Sequence, residues 1–219
     1  SSTTPETLIW HAILEGSSLR QWYVRFLKRF VDMVVASTLL LILSPLLVLV
    51  AIAIHLDSPG PFLFRQTRIG RENRSFSIYK FRTMTHRPND ELVLVRDADG
   101  VLRHKVRNDP RVTRVGRWLR RTSIDELPQL LNILMGQMSL VGPRPELPQI
   151  VETYESWQHR RHLVRPGLTG WWQVSGRSDR PMHEHTELDI YYVEHQSFWL
   201  DVRILLLTML VVVKGLGAF

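Results

Sequence analysis

The stretch SIDELPQLLNIL (residues 123–134) sets two carboxylates, Asp125 and Glu126, side by side in front of an apolar run. Such a pair at a helix start can divide its work, one member staying ionised as a nucleophile while the other holds a metal. The same residues also read as an ordinary helix start. Ser123 or Asp125 would cap it, Glu126 and Pro128 fit its first turn, and Leu127, Leu130, Leu131 and Leu134 form the core stripe. The two readings do not exclude each other. Directly upstream, RVTRVGRWLRR holds Arg111, Arg114, Arg117, Arg120 and Arg121, several of them on one helix face with Val112, Val115 and Leu119 opposite. That face is either solvated or in contact with lipid phosphates. In GPRP (residues 142–145) two prolines flank Arg144, and a stiff backbone reduces the entropy lost when a guanidinium grips phosphate. A rigid polyproline-type connector would have the same sequence. HEH at 183–185 lacks the H-E-x-x-H spacing that puts two imidazoles on one helix face, so it is a poor zinc site. The pair Trp171 and Trp172 reads as core or interfacial anchors.

Several elements must position these groups. FLFRQTRIGRENRSFSIYKFRTM reads as a hairpin turning at Arg71 to Arg74, with Ile78, Lys80 and Arg82 on one face of its second strand by the period of two. Residues 86–104 are polar and expected to be loop, and 109–136 are expected to be helical. Residues 33–54, MVVASTLLLILSPLLVLVAIAI, contain no charge and are long enough to cross a hydrocarbon core of about 30 Å. Ser44-Pro45 interrupts the middle, where proline removes a donor and crowds the carbonyl of Leu41, and Ser44 can bond a freed backbone group. Arg20, Arg25, Lys28 and Arg29 precede the segment, while Arg65, Arg68, Arg71 and Arg74 follow it. Basic residues favour the cytoplasmic side, so both ends favour the same side. A re-entrant helix-break-helix fits charge, length and proline together, although a kinked transmembrane helix stays open on these residues alone. Ala51 to Ala53 has the look of a signal cleavage site, but the apolar core is too long for that reading and 32 residues precede it.

The net charge of +7 implies an anionic partner, whether nucleic acid, anionic lipid or a phosphorylated substrate. With no cysteine, disulfides and thiolate metal sites are excluded.

KFRTM, NDPRVTRVGRWLRRTSIDELPQLLNILMGQMSLVGPRPELP, RPGLTGWWQVSGRSD and ELDIYYVEHQSFWLDVRILLLT, taken in order, resemble the bacterial sugar transferases called monotopic phosphoglycosyl transferases. The resemblance runs from about Lys28 to Phe219 and implies an α+β fold, mainly helical with a small β-hairpin, in a monotopic membrane protein with a re-entrant helix broken at Ser44-Pro45. The expected division of the chain is an amphipathic helical segment (1–32), the membrane helix (33–57), a catalytic domain (58–200) and an interfacial helix (201–219), the first of them read from the residues rather than from the resemblance. The implied activity moves a hexose 1-phosphate from a UDP-sugar to polyprenyl (undecaprenyl) phosphate at the cytoplasmic face of a bacterial inner membrane, the first membrane step of exopolysaccharide, capsule or O-antigen assembly. By this resemblance Asp125 is the nucleophile and Glu126 helps to bind Mg²⁺. Lys80, Arg82, Arg120, Arg144 and Arg177 are the candidates for neutralising phosphate, and Asp189 and Tyr192 support the site. The implied partners are the sugar donor, the lipid phosphate and membrane lipid, not nucleic acid; a homodimer rests on the resemblance alone. Two other readings are a nucleotide-sugar hydrolase and a non-catalytic adaptor for anionic lipid. The adaptor leaves the Asp-Glu pair, the proline-flanked arginine and the Lys/Arg strand unexplained.

Overall fold

The computed structural model describes residues 22–85, 95–96, 102–103, 109–175 and 185–214. Its dominant element is helix α1, Lys28–Asp57, preceded by a π-helical turn at Tyr23–Leu27. At Ser44-Pro45, where a break is expected, no non-helical residue separates two helices, and the hydrogen-bonded helix continues through Pro45. Proline leaves the carbonyl of Leu41 without its helical donor, and the Ser44 hydroxyl supplies one at 2.8 Å. At 30 residues α1 is about 45 Å long if straight. Its most apolar stretch is only 11% buried, unlike the core helix of a soluble domain, and Leu41, Ile42, Val48, Leu49 and Leu56 lie exposed.

Both ends of α1 are bonded to the same body. Near its start, Lys28 pairs with Asp201, Asp32 accepts the Leu140 N–H at 3.0 Å, and Arg29 donates to the carbonyls of Ile133 and Leu134. Ala36 is packed in a core with Ile78, Leu130, Ile133, Met138, Leu140, Tyr192 and Ile204. Near its end, Val50 and Ile54 pack with Phe81 and Leu119 in a second cluster.

The expected hairpin is present. Strands β1 (Leu63–Ile69) and β2 (Ser75–Phe81) pair antiparallel from Leu63 opposite Phe81 to Ile69 opposite Ser75. The Gly70 N–H closes the turn on the Arg74 carbonyl at 2.9 Å. Glu72 and Asn73 turn the chain in the left-handed region, φ 58° and 56°, which asparagine tolerates better than most residues. The polar stretch expected to be loop carries a two-residue pair, β3 (Val95–Arg96) with β4 (Leu102–Arg103). Helix α2 (Arg114–Thr122) starts under a Thr113 cap, whose hydroxyl accepts the Gly116 N–H at 2.9 Å, and Asp57 at the end of α1 accepts the Val115 N–H at 3.0 Å. Gly116 is required by proximity: a Cβ there would meet the Thr83 carbonyl oxygen at 2.1 Å.

Helix α3 (Gln129–Leu134) leads to β5 (Ser139–Val141), which pairs in parallel with β6 (Gly167–Thr169). Between them run the GPRP segment, the short helix α4 (Pro148–Val151) and a 3₁₀ stretch at Gln158–Leu163. Helix α5 (Trp171–Val174), α6 (Thr186–His195) and α7 (Phe198–Lys214) complete the chain. The fold is mostly helical with a small antiparallel strand pair, as expected. The amphipathic segment at 1–21 lies outside the described residues.

Candidate active site

Helix α2 ends on Ser123, whose φ of 57° turns the chain out of the helix while its N–H still bonds the Arg120 carbonyl. Asp125 and Glu126 then occupy a single 3₁₀ turn, Ile124–Glu126, held by Glu126 N–H to Ser123 O and Leu127 N–H to Ile124 O, each 3.2 Å. Helix α3 begins only at Gln129, and neither Ser123 nor Asp125 caps it through its side chain. The capping expectation is therefore corrected. The α2 helix stops before the pair, and the two carboxylates are free of backbone duties.

Their environments differ sharply. Glu126 Oε1 accepts Lys80 Nζ at 2.8 Å and Arg144 Nη2 at 2.6 Å, while Oε2 meets Arg144 Nη1 only at 3.4 Å. Burial opposes the charge on Glu126, but the Arg144 and Lys80 cations outweigh it and hold the carboxyl well below the usual range. Asp125 receives no hydrogen bond from any described residue. Burial, then the neighbouring Glu126 charge, pushes its carboxyl up to about 6, against the pull of Lys80, Arg120 and Arg144. Burial lowers the Lys80 ammonium while Glu126 raises it, with a net fall. Arg144 is raised chiefly by Glu126. Arg120 donates Nε to the Thr83 hydroxyl at 2.9 Å, and its charge acts on Asp125. Lys80, Arg120 and Arg144 thus gather around the dyad.

Arg82 does not gather there. The strand ends at Phe81, and the Arg82 guanidinium turns to the exit of α1, bonding the carbonyls of Ser58 (2.7 Å), Ile54 (3.4 Å) and Pro59. Arg177 lies outside the described residues, as do His183 and Glu184. Asp189 and Tyr192 both brace the strand and loop that carry Arg144. The Tyr192 hydroxyl lies 3.0 Å from the carbonyl of Val141 and 2.7 Å from Asp201, within donating reach of either with its one proton. Asp189 pairs at 2.7 Å with Arg161, which bonds the Arg144 carbonyl.

Three charged residues near the site are not among those the sequence singles out for it, and Arg68 is read there only as a basic flank of the apolar segment. Arg68 is buried on β1, bonds Gln66 Oε1 at 2.6 Å, and lies 3.4 Å from the Pro145 carbonyl and 3.5 Å from Glu146. Glu146 follows GPRP directly, and Ile69 donates to its carbonyl at 2.9 Å. Arg161 sits in the 3₁₀ stretch Gln158–Leu163. The one available signal was alternation in LFRQTRI, which places Gln66 and Arg68 on one face of β1.

Among the described residues no three His, Cys, Asp or Glu side chains gather as a metal cage. The donors do fit Mg²⁺, which takes one or two carboxylates and completes its shell with water and substrate phosphate. Glu126 Oε2, which makes only the long 3.4 Å contact with Arg144, and the Asp125 carboxylate are the oxygens that would hold it.

The site thus sets a carboxylate that no described residue bonds among three cations, on an α+β body to which both ends of an exposed apolar helix are tied. Residues 23–215 match the family described as bacterial sugar transferase, and the chain belongs to that family. It is 43% identical over 197 residues to the UDP-glucose:undecaprenyl-phosphate glucose-1-phosphate transferase of Escherichia coli (strain K12), covering 84% of this chain and 40% of that protein. It is 45% identical over 211 residues to the undecaprenyl-phosphate glucose phosphotransferase of Komagataeibacter xylinus, covering 90% of this chain and 37% of that one. The chain thus spans about two fifths of these relatives. A Bacillus subtilis (strain 168) protein named uncharacterized sugar transferase EpsL is 44% identical over 183 residues, with 84% of this chain and 85% of that protein covered.

Proposed function

We propose that the protein transfers a hexose 1-phosphate from a UDP-hexose to polyprenyl phosphate through a phosphosugar carried on Asp125. The observation that carries this reading is the contrast within the dyad. Glu126 is locked between Lys80 and Arg144, while Asp125 beside it accepts no hydrogen bond from any described residue. A carboxylate kept bare next to three cations is suited to attack an anionic phosphorus centre, which repels any nucleophile not so screened. The names of the relatives, which include a UDP-glucose donor and an undecaprenyl-phosphate acceptor, agree with it.

In the first step an Asp125 oxygen attacks the β-phosphorus, the bond from that phosphorus to the bridging oxygen breaks, and UMP leaves with the electron pair. In the second step an oxygen of polyprenyl phosphate attacks the same phosphorus and expels the Asp125 carboxylate. The product is a polyprenyl diphosphate sugar, and the enzyme is regenerated. Lys80, Arg120 and Arg144 offset the charge of the diphosphate, and Arg177 remains a candidate for the same task. Glu126, with Asp125, would hold Mg²⁺, which supplies charge neutralisation at the phosphates. Arg82 is better placed as the tie between α1 and the body than as a phosphate ligand.

The acceptor keeps its chain in lipid, so the site must stand at headgroup depth. We place α1 in the cytoplasmic leaflet of the inner membrane, entering and leaving on the same side with its bend at Ser44-Pro45. The support is that Lys28 and Arg29 at one end and Ile54 and Asp57 at the other are all bonded to one body. A membrane-crossing helix would put those ends on opposite sides. The exposed Trp199, Leu206, Met209 and Leu210 suit α7 to the interface.

The test is UMP release from a panel of UDP-hexoses with Mg²⁺, with and without undecaprenyl phosphate. Sustained turnover should require the acceptor and vanish in Asp125→Asn. Sustained turnover without acceptor would make the protein a hydrolase. Undiminished transfer by Asp125→Asn would remove the covalent step.

A further inference from the structure

Arg144 reaches Glu126 from a loop, and a loop arginine grips phosphate in one geometry only if its backbone is fixed. Carbonyls in and next to GPRP are held. Val141 O, just before it, lies within reach of the Tyr192 hydroxyl, Pro143 O accepts the Gly167 N–H at 2.8 Å, Pro145 O faces Arg68 at 3.4 Å, and Arg144 O accepts Arg161 Nη2 at 2.6 Å. The last contact differs from the others in cost. The Arg161 side chain is 1% exposed and its partner Asp189 equally so, an ion pair of 2.7 Å with almost no water. A second nitrogen, Nη1, donates to the Tyr154 hydroxyl, and the guanidinium carbon stands 5.8 Å from the centre of the Tyr154 ring. Buried pairs of this kind add little net stability compared with apolar residues of the same volume. A guanidinium buried this completely, with Nη2 turned to the carbonyl of a residue that clasps the dyad, therefore asks for a role other than stability.

We propose that Arg161, oriented by Asp189 and Tyr154, is a positioning residue that fixes Arg144 for the donor diphosphate. The proposal rests on the transfer reading above and adds to it a residue that touches neither carboxylate. Lysine cannot replace Arg161, because a single ammonium cannot serve the Arg144 carbonyl, Asp189 and the Tyr154 hydroxyl in the guanidinium's planar geometry.

The experiment is a double-mutant cycle between Arg161→Lys and Arg144→Gln, with two readouts at constant Mg²⁺. One is kcat/KM for UMP release from the best UDP-hexose; the other is calorimetric affinity for inorganic pyrophosphate. Arg161→Lys is expected to lower kcat/KM by about 10- to 100-fold and to weaken pyrophosphate binding, while changing neither in the Arg144→Gln background. Equal losses in both backgrounds, or none in either, would overturn the proposal. If Arg161→Lys fails to fold, the apolar pair Arg161→Met with Asp189→Leu takes its place in the cycle. If the wild type releases no UMP from any donor, the transfer reading falls, and the pyrophosphate arm alone decides the role of Arg161.

Discussion

Asp125 and Glu126 are neighbours with opposite electrostatic fates, and the cause is which of them the cations reach. Lys80 and Arg144 bond Glu126, so Asp125 bears the desolvation and the repulsion, and its carboxyl rises to about 6. A nucleophile must be ionised, so kcat/KM for the donor is expected to fall as pH drops through about 6. A profile flat down to pH 5 would remove Asp125 from that role. The same shift has a stability consequence of definite sign. A carboxyl raised above its unfolded value of 3.8 destabilises the fold when ionised, fully above pH 6 and not at all once both states are protonated. Asp125→Asn should therefore be more stable than wild type at pH 8, by about 1 to 3 kcal/mol, with the gain fading as pH falls from 6 towards 4. Thermal unfolding at the two pH values measures it; an Asn variant less stable at pH 8 would show that Asp125 makes contacts beyond those seen. The dyad, Lys80 and Arg144 were legible in sequence because each sits in a short motif of chemically suggestive residues. Arg161 and Glu146 were not, because burial of a charge depends on partners far along the chain: Arg161 meets Asp189 and Arg144, and Glu146 meets Arg68. Arg82 was misleading for a local reason, since the alternation that set it beside Lys80 stops when β2 ends at Phe81.

Elements carry these side chains, and their joints are polar. Asn132 on α3 is fully buried; its Oδ1 accepts the Tyr79 N–H at 3.0 Å, and its Nδ2 donates to Ser77 O and Gln137 Oε1, both at 2.7 Å. It therefore fastens β2, one residue from Lys80, to the helix that follows the dyad. Asn132→Leu leaves the part-buried Tyr79 donor without its partner, removes the bond to Ser77, and should cost about 1 to 3 kcal/mol. Denaturant unfolding gives the loss, and faster amide exchange at Tyr79 would locate it; unchanged exchange there would refute the assignment. The hairpin was legible because β-rich runs flank a polar turn, and α1 because it is long and apolar. The helix start at Ser123 or Asp125 was legible, but not the 3₁₀ turn that delays α3 to Gln129, which no local pattern dictates. It is enforced instead by long-range ties at either side, Arg120 to Thr83 and Arg29 to the end of α3. At Ser44-Pro45 the sequence signal is met by one hydroxyl, Ser44 to the Leu41 carbonyl, which keeps the helix hydrogen-bonded at the point where the proposed bend falls.

At the scale of the whole molecule, the question is how one long apolar helix shares a body with a phosphate site. The chain has no cysteine, so single cysteines can report on sidedness without a background. Trp22, ahead of α1, is exposed, and Arg74, in the hairpin beyond it, is more so. With α1 entering and leaving the same leaflet, Trp22→Cys and Arg74→Cys should both react with an impermeant maleimide from the cytoplasmic side of sealed vesicles, and neither from the other side. Leu49→Cys, on the exposed face beyond Pro45, should be protected until detergent is added. Labelling of Trp22→Cys and Arg74→Cys from opposite sides would mean that α1 crosses. The crossing could not coexist with Lys28 on Asp201 and Arg82 on the Ser58 carbonyl in one body, so those ties would have to be broken in the membrane-bound protein. Same-side labelling would keep them intact and hold the 124–126 turn, bonded through α2 to the exit of α1, near the depth at which a lipid phosphate presents itself.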